Sequence, residues 1–385
     1  MPQAEYMALT GNKVVLNLSG ADNMRHVEPG DYISHLRSFQ GGLEYSAYEG
    51  KVSAAYTVLT PRKEVDPHYF RFLFKSTHYV QGLQTTTDQM RDGQSIRYGQ
   101  FALLPLPYPP LAEQRRIAEF LDRETAQIDE LIAKQEQLIS TLAERRTSVI
   151  LNGVARGFSG VELKDSEADW LGKVPAHWQI RRLKYSVRFS KNGVWGDEPD
   201  GGESDVWVIR VADFDRVRRT VTKDKQTYRK VSYSDRNGRL LLPGDLLLEK
   251  SGGGEKSPVG FVAIYEDAEP ALTSNFVARL QVESDCDSRY WLYVHAALYA
   301  SRVTERSIKQ TSGIQNLDQS SYFNELAPFP PLEEQRSIAN EIDARLDAIL
   351  AAGRKAELLI DRLRERRQAL ISAAVTGQID VGGAS

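Results

Sequence analysis

The 385-residue sequence predicts an α/β chain of the α+β kind, in which two domains of one pattern are joined by a long antiparallel two-helix coiled coil. Two observations carry that reading. Leu106-Pro107-Tyr108-Pro109-Pro110-Leu111-Ala112-Glu113-Gln114-Arg115-Arg116-Ile117-Ala118 returns 221 residues later as Ala327-Pro328-Phe329-Pro330-Pro331-Leu332-Glu333-Glu334-Gln335-Arg336-Ser337-Ile338-Ala339, and a repeat of that period means two similar domains. Each copy then opens a charged stretch of about 40 residues with apolar residues at heptad spacing. Two equivalent modules at a fixed separation suit two marks on an extended partner, of which duplex DNA is the commonest.

Residues 1 to about 105 read as mixed β and α. Lys13-Val14-Val15-Leu16-Asn17-Leu18 and Ala54-Ala55-Tyr56-Thr57-Val58-Leu59 are strand-like, and Tyr69-Phe70-Arg71-Phe72-Leu73-Phe74 reads as the start of a helix or, alternatively, as an aromatic strand. The second copy, about 170 to 327, has strands at Val206–Val211, Asp245–Leu248 and Gly260–Tyr265, and a helix opening at Arg289. Val27-Glu28-Pro29-Gly30-Asp31 matches Leu242-Pro243-Gly244-Asp245, each leading to a strand and then a glycine loop, Gly41-Gly42 or Gly252-Gly253-Gly254. Only 29 residues precede Gly30, whereas 74 separate Trp170 from Gly244, so about 45 residues are expected to be missing from the first copy: either the start has been chosen downstream, or the first domain is truncated or supplied in another way.

Pro110 and Pro331 suit the first turn of a helix, where a missing N–H costs nothing. Steps of four and three from Ile117 give Ile117, Leu121, Glu124, Ile128, Leu131, Gln135, Leu138, Leu142, Arg145 and Val149. The same steps from Ile338 give Ile338, Ile342, Arg345, Ile349, Ala352, Ala356, Leu359, Leu363, Arg366 and Leu370. Both are coiled-coil seams, about 60 Å long at 1.5 Å per residue. Surface helices packed only on their own domains would leave these stripes in water, and the intervening domain makes antiparallel pairing the simplest arrangement.

Hydrophobic residues are 41% and charged residues 26%, as in a soluble globular protein. No run approaches the ~18 apolar residues of a membrane span. The start, Met1-Pro2-Gln3-Ala4-Glu5-Tyr6, has no export-signal character. Cys286 is the only cysteine, which excludes an internal disulfide and a thiolate zinc site and fits a reducing cytoplasm.

A net charge of −3 argues mildly against nucleic-acid binding, but the charge is segregated. From Arg216 to Arg239 the basic residues Arg216, Arg218, Arg219, Lys223, Lys225, Arg229, Lys230, Arg236 and Arg239 face only Asp224 and Asp235. The first seven are candidate DNA contacts, interleaved with Gln226, Tyr228 and Tyr233; a solvated face is the alternative. The loop Lys250-Ser251-Gly252-Gly253-Gly254-Glu255-Lys256-Ser257 lacks the ending of a P-loop, so Lys250, Ser251, Gly252 and Lys256 are candidates for close backbone approach to DNA, with a flexible turn as the alternative. Lys309, Gln310 and Thr311 open a similar polar stretch.

Catalytic signals are poor. His26, His35, His68, His78, His177 and His295 have no metal spacing, there is no Gly-x-Ser-x-Gly elbow, and Glu162-Leu163-Lys164 lacks the upstream acid of a nuclease site. The sequence therefore offers no active site and no metal site.

The duplicated Pro-Pro-Leu-x-Glu-Gln-Arg, the helix ends Glu144-Arg145-Arg146-Thr147-Ser148-Val149-Ile150 and Glu365-Arg366-Arg367-Gln368-Ala369-Leu370-Ile371, and Ala373-Ala374-Val375-Thr376-Gly377-Gln378-Ile379-Asp380 resemble the specificity subunit of type I restriction-modification enzymes. Trp170-Leu171-Gly172-Lys173-Val174-Pro175-Ala176-His177-Trp178 resembles the opening of that family's second target-recognition domain. The resemblance implies target-recognition domains at 1–109 and 170–330, conserved-region helices at 110–155 and 331–377, a linker at 156–169 and a tail at 378–385. It implies a non-catalytic cytoplasmic subunit that recognises a bipartite site in double-stranded DNA. It further implies assembly with two methyltransferase (modification) subunits that bind S-adenosylmethionine and with ATP-driven restriction subunits, and no cofactor in this chain. The alternative is a coiled-coil scaffold displaying two protein-binding domains without DNA.

Overall fold

The computed structural model describes residues 23–34, 38–85, 98–254, 257–311 and 313–382. The strand expected at Lys13–Leu18 lies outside them. The elements that position the site are, in chain order, β1 (Tyr32–Ser34), β2 (Glu44–Tyr45), β3 (Thr57–Leu59), α1 (Pro67–Leu73), α2 (Leu111–Arg156), β4 (Val187–Asn192), β5 (Asp205–Ile209), β6 (Tyr228–Lys230), β7 (Leu246–Glu249), β8 (Ser251–Gly252), β9 (Val262–Ile264), β10 (Ala271–Thr273), β11 (Val277–Val282), α3 (Ser288–Ala300), β12 (Ile308–Thr311), β13 (Ile314–Leu317) and α4 (Leu332–Val375). They fall into two compact units, Met1–Ile139 with Arg354–Ser385, and Ser140–Gly353.

In the first unit β1 lies between β2 and β3, antiparallel to both, with Tyr32 opposite Tyr45 and Ile33 opposite Val58. The strand expected from Ala54 starts only at Thr57, because the Ser53 hydroxyl and carbonyl accept from the N–H groups of Ala55 and Tyr56 and hold a turn. The aromatic run at Tyr69 is helical. Asp66 caps α1 by accepting from the N–H groups of His68 and Tyr69, and Pro67 opens its first turn. Tyr32, Tyr69, Phe70 and Leu73 then pack with Ile117 and Leu121 of α2 and with Ile371 and Val375 of α4.

The second unit repeats this plan with more sheet. Its largest sheet has the antiparallel order β9-β7-β11-β4, beside a three-stranded sheet β6-β5-β10 in which β5 and β10 run parallel. β7 is buried throughout, and Leu246, Leu248 and Leu280 pack with Tyr290 and Trp291 of α3. The same core takes Ile150 and Val154 from the end of α2 and Ile338 and Ile342 from the start of α4. Each unit thus pairs the start of one long helix with the end of the other. The pairing is antiparallel.

The duplicated motifs have duplicated bonds. Gly30 and Gly244 both take positive φ (101° and 95°) in a turn where Asp31 accepts from the Glu28 N–H (2.8 Å) and Asp245 accepts from the Leu242 N–H (2.7 Å). The repeated glutamine is a clamp. Gln114 accepts from the Asp66 N–H (2.8 Å) and donates to the Pro109 carbonyl (2.8 Å); Gln335 accepts from the Asp287 N–H (2.9 Å) and donates to the Pro330 carbonyl (2.9 Å). Both are buried, and each joins a domain-helix cap to a long helix.

The seams begin at these glutamines, which corrects the expected register. Steps of four and three from Gln114 run through Ala118, Leu121, Thr125, Ile128, Ile132, Gln135, Ile139 and Leu142, all buried or half-buried. From Gln335 they run through Ala339, Ile342, Leu346, Ile349, Gly353, Ala356, Ile360, Leu363, Arg367, Leu370 and Ala374. Of the expected seam residues Leu121, Ile128, Ile342 and Leu363 are buried, Leu142, Val149, Ile349 and Leu370 are half-buried, and Ile117 and Ile338 are buried in their domain cores. Leu131, Leu138 and Leu359 do not belong: they are 46%, 41% and 43% exposed. A seven-residue repeat cannot choose between adjacent apolar pairs such as Leu138-Ile139 and Leu359-Ile360; the clamps rotate each helix so that the later residue is inside. Arg367 bonds Asp129 (2.8 Å) and Arg364 bonds Glu136 (3.3 Å) across the pair.

Within α3, His295 is buried, with Nδ1 2.6 Å from the Tyr322 hydroxyl and Nε2 without a partner among the described residues. Burial first, and the Arg219 charge second, push its pKa from 6.5 down to about 3. Between those values the unfolded chain binds a proton that the folded chain refuses, so stability falls as pH falls, by about 1.4 kcal/mol per unit. Replacing His295 with Phe should flatten the pH dependence of urea unfolding between pH 6 and 4. An unchanged slope would show that the imidazole is protonated in the fold.

Candidate nucleic-acid interface

Two polar segments far apart in sequence meet in the second unit. β8, immediately after β7, pairs with β13 through Ser251 opposite Asn316 and Gly252 opposite Gln315, and β12 pairs with β13 through Lys309 opposite Asn316. The order β8-β13-β12 makes one small sheet. Its turns need glycine: Gly252, Gly253 and Gly313 have φ of 113°, 55° and 84°. A Cβ on Gly253 would lie 2.8 Å from the Val259 nitrogen. The buried Gln315 side chain accepts from the Val259 N–H (3.3 Å), and Ser251 donates to Asn316 Oδ1 (2.6 Å). Lys309 pairs with Asp318 (2.6 Å) yet stays exposed, Gln310 is exposed, and partial burial lowers the pKa of Lys250. Thr311 contributes backbone to β12; Lys256 lies outside the described residues.

The basic segment is not the open stripe its sequence suggests. Arg216 bonds the buried Glu249 (2.7 Å), Lys223 pairs with Asp267 and Glu269, Arg229 with Glu198, and Lys230 with Asp200 (2.7 Å). Arg219 stacks over the Phe261 ring at 4.5 Å and donates to the Val262 carbonyl (3.4 Å); burial first, then Arg146, pushes its pKa down to about 10. Arg218 and Lys225 are exposed and have no ion pair among the described residues. The neutralising acids come from other strands and loops, which a count of local charge cannot see.

The residues missed by sequence reasoning are aromatic. Trp195 is 66% exposed, its ring edge-on to Phe276 at 5.3 Å, and Tyr185 lies exposed under Arg181 at 4.7 Å. A tryptophan between two glycines, Gly193 and Gly196, is the signal that could have found the first. In the first unit Gly42 follows the same logic as Gly253: φ is 75°, and a Cβ would meet the Phe74 carbonyl oxygen at 1.8 Å. Among the described residues no three His, Cys, Asp or Glu side chains group to hold a metal, and no helix is long and apolar enough to cross a membrane.

Each unit sets a small domain on the paired long helices, and the second carries a polar sheet edge with glycine turns. Residues 7–141 match the profile of the type I restriction modification DNA specificity domain. The chain is 23% identical to the type I restriction enzyme StySPI specificity subunit of Salmonella potsdam, over 86% of this chain and 70% of that one. It is 22% identical to the EcoKI specificity subunit of Escherichia coli K12, over 87% and 70%. Its fold matches the HsdS subunit from Thermoanaerobacter tengcongensis (TM-score 0.53, 18% identity, 92% of this chain and 82% of that one). It also matches a chain from a structural study of the assembly and conformational transition of the type I R-M system (TM-score 0.70, 17% identity, 92% and 84%). Over residues 7–141 the chain carries the match to that domain, and over most of its length it is similar to type I restriction enzyme specificity subunits. The alternative of a scaffold unrelated to DNA has no support in these matches.

Proposed function

We propose that this chain reads a bipartite sequence in double-stranded DNA on behalf of a cytoplasmic type I modification complex, and carries no catalysis itself. The reading is carried by the meeting of Ser251-Gly252 with Lys309-Gln310 in the β8-β13-β12 sheet, since base edges must be met by several side chains fixed on one rigid support. Two methyltransferase subunits would supply S-adenosylmethionine and the transfer step, and restriction subunits would supply ATP-driven cleavage; this chain would hold neither cofactor. Lys250, Ser251, Lys309 and Gln310 are assigned to base edges. Arg218 and Lys225 are assigned to phosphates because their charges are not already spent on protein carboxylates.

These roles separate in one experiment on the complex assembled with its modification subunits. Gln310→Ala or Ser251→Ala should relax one position of the methylated motif, since a good base contact is worth about 1–3 kcal/mol of discrimination. Arg218→Ala with Lys225→Ala should leave the motif intact and flatten log K against log salt by roughly 0.9 per lost phosphate contact. Sequencing of methylated bases that returned the parental motif from every β8 and β12 variant would sink the base-reading assignment.

A further inference from the structure

Beside β8 the second unit has an open cavity of about 620 Å³. Trp195 and Phe276 stand in its lining, their rings at 82° to each other, with the indole largely exposed. The buried Glu249 and Ser274 also line it, and the Ser274 hydroxyl is buried without a hydrogen-bond partner among the described residues. Native interiors leave few such hydroxyls unpaired.

The backbone holds this shape. A Cβ at the lining Gly196 would come within 2.7 Å of the Arg229 Cβ, and at the adjoining Gly193 within 2.1 Å of the Thr273 oxygen, so the chain around Trp195 packs this closely only with glycine at both positions. The cations here are already matched: Arg229 with Glu198, Arg210 with Asp213 (3.0 Å), Arg216 with Glu249. Among the described lining residues a phosphate would find no unpaired cation. A flat, neutral ring would find an aromatic pair to stack on, and a ring bearing an N–H₂ group would find carboxylate and hydroxyl acceptors.

We propose that this cavity is a binding site for an unstacked nucleobase carrying an exocyclic amine: adenine, cytosine or guanine. The site deepens the DNA-reading proposal and rests on it for the source of the base, because a base turned out of a duplex must be lodged in a fitted pocket. The cavity itself can be tested with free nucleosides.

Adenosine, cytidine, guanosine and thymidine are titrated separately into the full chain. Binding is followed by tryptophan fluorescence, to which Trp178, Trp207 and Trp291 contribute as buried rings, and by saturation-transfer NMR. The expected result is saturable quenching by the three amine-bearing nucleosides, with thymidine at least about fivefold weaker. Trp195→Ala, a surface change, should abolish the transfer signal, and Ser274→Ala should weaken binding about threefold. Non-saturating quenching, equal affinity for thymidine, or full transfer in the Trp195→Ala chain would overturn the site. Duplex binding measured in parallel separates the two proposals. Salt-sensitive duplex binding without nucleoside uptake overturns the cavity alone, and nucleoside uptake without duplex binding overturns DNA reading alone.

Discussion

Replacing Ile360 with Asp should destabilise the chain by about 3–5 kcal/mol, the cost of an unpaired charge in a buried seam, whereas Leu359→Asp should cost about 1 kcal/mol or less. The neighbours differ only in rotation. Ile360 is buried between Ala356 and Leu363 on one helix stripe, while Leu359, next in sequence, looks partly into water. Leu138→Asp should be as mild as its duplicate Leu359→Asp, because the same glutamine clamp sets both helices. Chemical denaturation of the single variants decides it. A loss at Leu359 equal to that at Ile360 would return the seam to the register that a simple heptad count from Ile117 and Ile338 gives.

The second large effect is expected at Asp245. Its carboxylate accepts from Arg279 Nε (2.6 Å) and from the Leu242 N–H, with both charged side chains buried. Asp245→Ala should cost about 3–5 kcal/mol, because it strands a guanidinium that then has only the Gly238 carbonyl (3.2 Å) and the Phe189 ring. The duplication supplies a control. Asp31 holds the equivalent turn, but Val58 stands across β1 at the position that Arg279 occupies across β7. Asp31→Ala should therefore cost only the turn's hydrogen bond, about 1–2 kcal/mol. Pairing Asp245→Ala with Arg279→Met should recover most of the loss; if it recovers none, the turn rather than the ion pair is what Asp245 sustains.

The sequence by itself determined the duplication, the two long helices, their antiparallel sense and the resemblance to type I specificity subunits, because all of these rest on order along the chain. Pro-Pro-Leu-x-Glu-Gln-Arg is legible as a repeat whatever its bonds are. It also determined which segments carry polar loops, at Lys250 and Lys309, and the helical character of Arg289–Val294. Only the tertiary structure decided rotation and pairing. The seam runs one residue later than apolar spacing suggests, because it starts at a polar residue, Gln114 or Gln335, whose burial is satisfied by backbone groups of another element. Four of the nine cations in the basic stretch are neutralised, because Glu198, Asp200, Glu249 and Asp267 reach them from strands and loops distant in sequence. Trp195 gained importance for the same reason: a ring's surroundings are set by what folds beside it, here Phe276 and the β8 turn, and no local pattern encodes that.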